Sequence, residues 1–192
     1  MRIGAGSRSL IAPARLCDAM GISAGVDADW DELERASAEA QREPASADAA
    51  RYLGAAERTV ARLSAYLMKR GYLSQVVEAV VARAEEHGWV DDARYASMFA
   101  ASRPGLGRSR LMAELIRRGV SRATALRAVE GRSDADAVEA LIPLLKRRYG
   151  NLPREAALRR AAGFLVRRGL SGAEAFRAAG RILSAESGDE ES

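Results

Sequence analysis

Few residues of this 192-residue chain invite a reading as chemistry: an adjacent carboxylate pair, Asp91-Asp92, one histidine, His87, and one cysteine, Cys17. Two carboxylates side by side can bind a divalent cation or share a proton in acid–base catalysis. Here they precede an apolar set at helical spacing, Tyr95, Met98 and Phe99. The expected role is therefore structural: one of them caps the helix that carries Tyr95, and both anions sit at its positive end. Arg94 either pairs with them or projects outward. His87 has no second histidine or cysteine partner with which to hold zinc, and is read as a helix-end residue that satisfies carbonyl groups. A hydrolase triad would have to recruit that same histidine, and no nucleophile elbow is present. Gly105-Leu106-Gly107-Arg108 has the glycine content of a phosphate loop but lacks the Gly-Lys-Ser/Thr ending and a preceding strand. Those glycines are expected to turn the chain between two helices. The expectation is a protein that is not an enzyme and uses neither cofactor nor metal.

What remains as chemistry is charge. The net value of +4 conceals a segregation. Residues 1–50 carry 5 Arg against 9 Asp/Glu, residues 51–183 carry 25 Lys/Arg against 13 Asp/Glu, and residues 184–192 carry 4 acids and no base. The body is thus basic, at +12, between two acidic ends, and such a body attracts polyanions or acidic protein surfaces. Only Lys69 and Lys146 are lysines, and a general arginine bias would also scatter guanidinium groups over solvated faces. The candidate contacts to a partner are Arg94, Arg103, Arg108, Arg110, Arg117, Arg118, Lys146, Arg147, Arg148, Arg167 and Arg168. Most lie at expected helix C-termini, where they also complement the helix dipole. Arg108 and Arg110 lie at an expected N-terminus, where a cation gains nothing locally, and so point to a partner. Phosphate contacts would weaken steeply with salt, whereas carboxylate contacts would favour paired guanidinium hydrogen bonds.

The elements that position these residues follow from an internal repeat. Tyr66-Leu67-Met68-Lys69-Arg70-Gly71-Tyr72, Glu114-Leu115-Ile116-Arg117-Arg118-Gly119-Val120 and Phe164-Leu165-Val166-Arg167-Arg168-Gly169-Leu170 share one pattern, x-Leu-apolar-basic-basic-Gly-apolar. The glycines lie 48 and then 50 residues apart, the length of three helices of about 12 residues with short turns. Gly71, Gly119 and Gly169 are expected to end a helix in the left-handed conformation, and Ser74, Ser121 and Ser171 to start the next. Apolar spacing predicts nine helices and no strand, with Pro143 kinking or splitting one of them.

These observations divide the chain into a flexible acidic arm over 1–45, repeats over 46–90, 91–132 and 133–183, and an acidic tail over 184–192. The arm, rich in Gly, Ala, Ser and acids and punctuated by Pro13 and Pro44, is expected to be largely disordered with a marginal helix around Asp29 to Arg42. Trp30 within it is read as a tail aromatic, with a docking anchor for a partner as the alternative. The stretch from Met1 to Met20 is too broken for a signal peptide and no run is long enough to span a membrane. With one thiol, a soluble protein of the reducing cytoplasm is expected.

Gly88-Trp89-Val90-Asp91-Asp92-Ala93-Arg94-Tyr95-Ala96, Gly107-Arg108-Ser109-Arg110-Leu111 with Glu114-Leu115-Ile116-Arg117-Arg118-Gly119, and Phe164-Leu165-Val166-Arg167-Arg168-Gly169 together resemble the RecX family, in order and spacing, from about Ala50 to Leu183. The resemblance implies an all-helical, elongated, curved array of three three-helix repeats. It also implies a monomeric regulator in DNA repair, homologous recombination and the SOS response. Such a protein binds in the groove of the RecA–DNA filament, touches RecA and the single- or double-stranded DNA there, and restrains RecA's ATPase, strand exchange and coprotease activity. The chain departs from the family pattern in its long acidic arm and in Val120 and Leu170, where bulkier residues are common. The reading from a different class is a helix-turn-helix transcriptional regulator, although the helix starts lack the Asn, Gln and Arg clusters that read base edges.

Overall fold

The structure, a computed structural model, describes residues 1–5, 8–23, 25 and 28–184. The chain forms two compact units, one ending at Asp92 and the other beginning at Ala93. The fold is mostly helical and built of tandem three-helix modules. Among the described residues there are eleven helices and one two-stranded sheet.

The first unit opens with an antiparallel hairpin, β1 (Arg2–Ala5) and β2 (Arg8–Ile11), in which Ile3 faces Leu10 across the ladder. After α1 (Ala14–Ala19) comes α2 (Trp30–Ala55), a helix of 26 residues capped by Asp29, whose carboxylate accepts from the amides of Asp31 and Glu32. The helix expected to be marginal around Asp29 to Arg42 lies within α2, which is longer than expected, and a hairpin precedes it in the arm expected to be largely disordered. The helix also runs through Pro44, which was expected to punctuate the chain. Its inward stripe, Leu33, Ser37, Ala38, Gln41, Ala45, Asp48 and Ala49, has helical spacing but is partly polar, so it reads as tail in the sequence. Packing on both sides of Pro44 offsets the hydrogen bond that proline removes. Two of the polar members, Gln41 and Asp48, are satisfied by partners far away in sequence, whereas the buried Ser37 hydroxyl has none among the described residues. Gln41 donates to the Ile11 carbonyl at 2.7 Å and accepts from the Leu73 amide at 2.8 Å. Asp48 accepts from the Tyr72 hydroxyl at 2.7 Å and from Arg70 Nε at 2.5 Å, and also pairs with Arg51. Those donors hold the Asp48 carboxyl below its usual range, with Tyr72 the largest cause. Burial, with Asp48 opposite, pushes the Tyr72 hydroxyl up to about 12. Trp30 packs against a small core of Leu10, Ala12, Cys17 and Leu33, so it is an internal contact and not a tail aromatic.

The first module joins α2 to α3 (Val60–Lys69) and α4 (Ser74–Glu86) around Leu63, Leu67, Val77 and Val81. The second consists of α5 (Asp92–Ala101), α6 (Arg108–Arg117) and α7 (Arg122–Ala128), with Phe99, Leu111, Leu115 and Val129 inside. The third holds α8 (Asp134–Glu139), α9 (Ile142–Tyr149), α10 (Arg154–Arg167) and α11 (Gly172–Ser184) around Leu145, Leu165, Leu170 and Ile182. The two helices beyond the nine expected are α1 and the extra piece made where Pro143 splits α8 from α9. Proline is tolerated in the first turn of α9 because an amide there has no partner to lose.

The three glycines take φ of +88°, +88° and +102° at Gly71, Gly119 and Gly169. At Gly119 and Gly169 the following residue closes a Schellman pair, Val120 to the Leu115 carbonyl at 3.1 Å and Leu170 to that of Leu165 at 3.3 Å. Ser121 and Ser171 then cap α7 and α11, accepting from Thr124 at 3.1 Å and Glu174 at 3.3 Å. Ser74 does not play this part. It is already inside α4, whose preceding residue Leu73 is held by Gln41. Of the acidic tail over 184–192, all but Ser184 lies outside the described residues.

Candidate interaction surface

The repeated turn sorts each pair of cations. The second member folds back onto an aromatic ring. Arg70 lies 5.4 Å from the Tyr66 ring centre, Arg118 lies 4.4 Å from that of Phe99, and Arg168 lies 4.9 Å from that of Phe164. The first member, Lys69, Arg117 or Arg167, is exposed. In the second module the contrast is 17% side-chain exposure for Arg118 against 70% for Arg117. Each module therefore keeps one cation as a brace, through stacking worth roughly 0.5–2 kcal/mol, and offers the other to solvent.

Glu114 draws three guanidinium groups together. It pairs with Arg110 at 2.9 Å and Arg117 at 2.5 Å, and Arg118 binds both its carboxylate and, at 3.0 Å, its carbonyl. Hydrogen bonds from Arg118 and then Arg117 outweigh burial and hold its carboxyl down at about 2. Three positive groups against one negative leave this end of α6 cationic. Arg110, placed by sequence against the helix dipole, thus has an internal partner. The amide of Arg108 is capped by Asp134 Oδ1 at 2.9 Å, while its side chain is exposed.

Arg103 lies 3.8 Å from the Phe99 ring centre, on a ring that Arg118 also approaches, and donates to Ser102 Oγ at 2.7 Å. Arg147 and Arg148 are exposed at the end of α9, with Arg148 5.6 Å from the Tyr149 ring centre, while Lys146 and Arg94 are half-buried. Sequence reasoning passed over Arg132. It reaches back to the carbonyls of Ala100, Arg103 and Pro104 at 3.1–3.4 Å and ties the end of α7 to the end of α5.

One member of the carboxylate pair serves the preceding module: Asp92 accepts from the Val60 amide at 2.9 Å, completing α3. Asp134, at the start of the third module, does the same for α6 of the second. Gly107 donates to the Arg168 carbonyl at 2.8 Å, and a β-carbon there would lie 3.2 Å from the Gly169 backbone. The glycine loop is thus a packing contact between modules. His87 Nδ1 lies 2.9 Å from the Arg83 carbonyl at the end of α4. Among the described residues no group of three or more His, Cys, Asp or Glu side chains could hold a metal ion, and no helix is long and apolar enough to cross a membrane.

Tandem three-helix modules, each turning on a glycine behind a basic pair, define a mostly helical repeat protein with one outward cation per turn. Residues 45–83 match the model for the first three-helix domain of RecX, and residues 91–129 match that for the second. The regulatory protein RecX of Thermobifida fusca is 40% identical over 142 residues, covering 71% of this chain and 77% of the relative. That of Amycolatopsis mediterranei is 35% identical over 119 residues, covering 58% and 67%. This chain belongs to the RecX family of regulatory proteins. The crystal structure of RecX from Lactobacillus salivarius shares the fold, with a TM-score of 0.66 at 16% identity over 77% of this chain and 99% of that one.

Proposed function

We propose that this protein regulates the RecA recombinase in the cytoplasm by binding, as a monomer, in the groove of the RecA–DNA filament. There it restrains ATP turnover, strand exchange and coprotease activity without chemistry of its own. The observation that carries this reading is the outward cation recurring at one position of three successive modules, Lys69, Arg117 and Arg167, in a chain of a regulatory family. A polymer repeats its acceptors, and an array of like modules can meet several of them at once. Of the other candidate contacts, Arg108 and Arg147 are exposed, whereas Arg103, Arg118 and Arg168 are stacked on rings and serve more as supports.

The test is RecA's DNA-dependent ATPase with the purified protein added. The expected result is a dose-dependent fall. An unchanged rate at several-fold excess would refute the reading. Strong preference for one duplex over scrambled DNA, without RecA, would favour a helix-turn-helix transcriptional regulator instead.

A further inference from the structure

Alignment of the modules on their turn glycines exposes a second repeated feature. Three residues before the glycine stand Met68, Ile116 and Val166, each followed by a cation; seven residues after it stand Glu78, Leu126 and Phe176. The second and third modules therefore carry two apolar–arginine dipeptides each, Ile116-Arg117 with Leu126-Arg127 and Val166-Arg167 with Phe176-Arg177. All four apolar side chains are open to solvent, at 40%, 47%, 47% and 52% exposure, and the four arginines beside them are exposed too. In the first module only Met68-Lys69 has this form, because Glu78-Ala79 replaces the second dipeptide.

Single exposed apolar residues need no explanation. Four of them at two pairs of equivalent positions, each followed by arginine, are not scatter. Nor does the fold require them: the cores of both modules close on other residues, and polar side chains at these sites would leave those cores intact. Two of the neighbouring arginines, Arg127 and Arg177, are only loosely held at home, whereas Arg117 pairs with Glu114 at 2.5 Å. Arg127 donates to Thr124 Oγ1 at 3.3 Å and Arg177 to the Ala173 carbonyl at 3.4 Å, which leaves most of each guanidinium's five donors unused. Val166 and Arg167 also border a groove whose other walls are Ser109, Arg110, Ala113 and Gly169, so an arriving chain meets a second guanidinium across it.

We propose that the second and third modules dock onto an acidic protein surface through this duplicated apolar–arginine element, one copy per module. The proposal rests on the RecA reading and assigns the element to the protein of the filament rather than to its DNA. A phosphate backbone satisfies arginine but offers nothing to Ile116, Leu126 and Val166. Stacking on bases needs aromatic rings, of which the set has one. Carboxylates interspersed with apolar side chains satisfy both halves of each dipeptide.

The test compares the full-length protein with the variant Leu126→Ser/Phe176→Ser, by fluorescence anisotropy, on RecA polymerised on single-stranded DNA and on the same bare DNA. Circular dichroism monitors the fold. The variant is expected to bind the filament about tenfold more weakly or worse, with bare-DNA binding and helicity unchanged, since a buried large apolar side chain is worth at least that factor. The conservative pair Leu126→Met/Phe176→Leu, which keeps the apolar volume, is expected to retain binding. Filament binding by the serine variant within about twofold of the parent would overturn the inference while leaving the RecA reading intact. Equal losses on filament and bare DNA would overturn it in favour of a nucleic-acid contact. A parent protein that does not bind the filament would instead remove the RecA reading itself.

Discussion

Gly169 and Gly131 provide a matched pair for measuring what the packing of the third module onto the second contributes. Both belong to the unit that begins at Ala93, and both have positive φ, +102° and +77°. Alanine at either site adopts a left-handed backbone at a cost of about 1–2 kcal/mol. At Gly131 the new methyl meets nothing within 4 Å. At Gly169 it would lie 2.6 Å from Arg110 Cβ and 2.8 Å from Arg110 N, so α6 has to move away. That movement stretches the Gly107 bond to the Arg168 carbonyl and adds an overpacking cost of about 1–3 kcal/mol. The expected loss is thus about 1–2 kcal/mol for Gly131→Ala and about 2–5 kcal/mol for Gly169→Ala. Urea denaturation followed by circular dichroism at 222 nm reads the difference. Equal destabilisation of the two variants would show that the α6 contact contributes nothing and that the turn conformation alone selects Gly169.

Other expectations use the same chain of reasoning. Asp134→Ala removes the cap on Arg108 and is expected to cost about 1 kcal/mol of stability, with Asp134→Asn recovering much of it by keeping the acceptor oxygen. Gln41→Ala leaves the partly buried Leu73 amide and the Ile11 carbonyl without their partner, and a loss of about 1 kcal/mol should appear in the melting of the first unit. Because the Glu114 carboxyl is held at about 2 against an ordinary 4.5, its contribution to stability is present above about 4.5 and disappears as pH falls towards about 2. Denaturation measured across that window should slope downward with acid, and Glu114→Gln should flatten the slope. Arg117→Glu with Arg167→Glu is expected to weaken filament binding with little effect on bracing by Arg118 and Arg168; collapse of helicity in that variant would show that the outward cations are structural.

The repeat was legible because its signals are local. A glycine that must take positive φ, a basic pair before it and a serine after it all act within one turn of chain, so the modules could be aligned from sequence alone. The first unit's outer layer was not, because its information is non-local. α2 buries Ser37, Gln41 and Asp48 where a sequence pattern looks for apolar residues, and the partners of Gln41 and Asp48, namely Ile11, Leu73 and Tyr72, lie 24–32 residues away. The hairpin escaped notice because each strand has only four residues and includes Gly4 or Ser9 among them. At the candidate surface, spacing identified the cations but could not divide them into braces and outward groups. That division depends on Phe99 and Phe164, which are far from some of the arginines they hold. The apolar dipeptides at Leu126 and Phe176 were in plain view once the glycines were aligned, but only exposure distinguishes them from core.

Asp92 and Asp134 impose a rule on anyone who cuts this protein into pieces. Each begins one module and finishes a helix of the module before it, so the seam is shared property. A fragment stopping at Val90 would be missing an oxygen it needs, whereas one extended by two residues would carry its own closure, and the first compact unit ends at that residue. A lone module is therefore an incomplete brick.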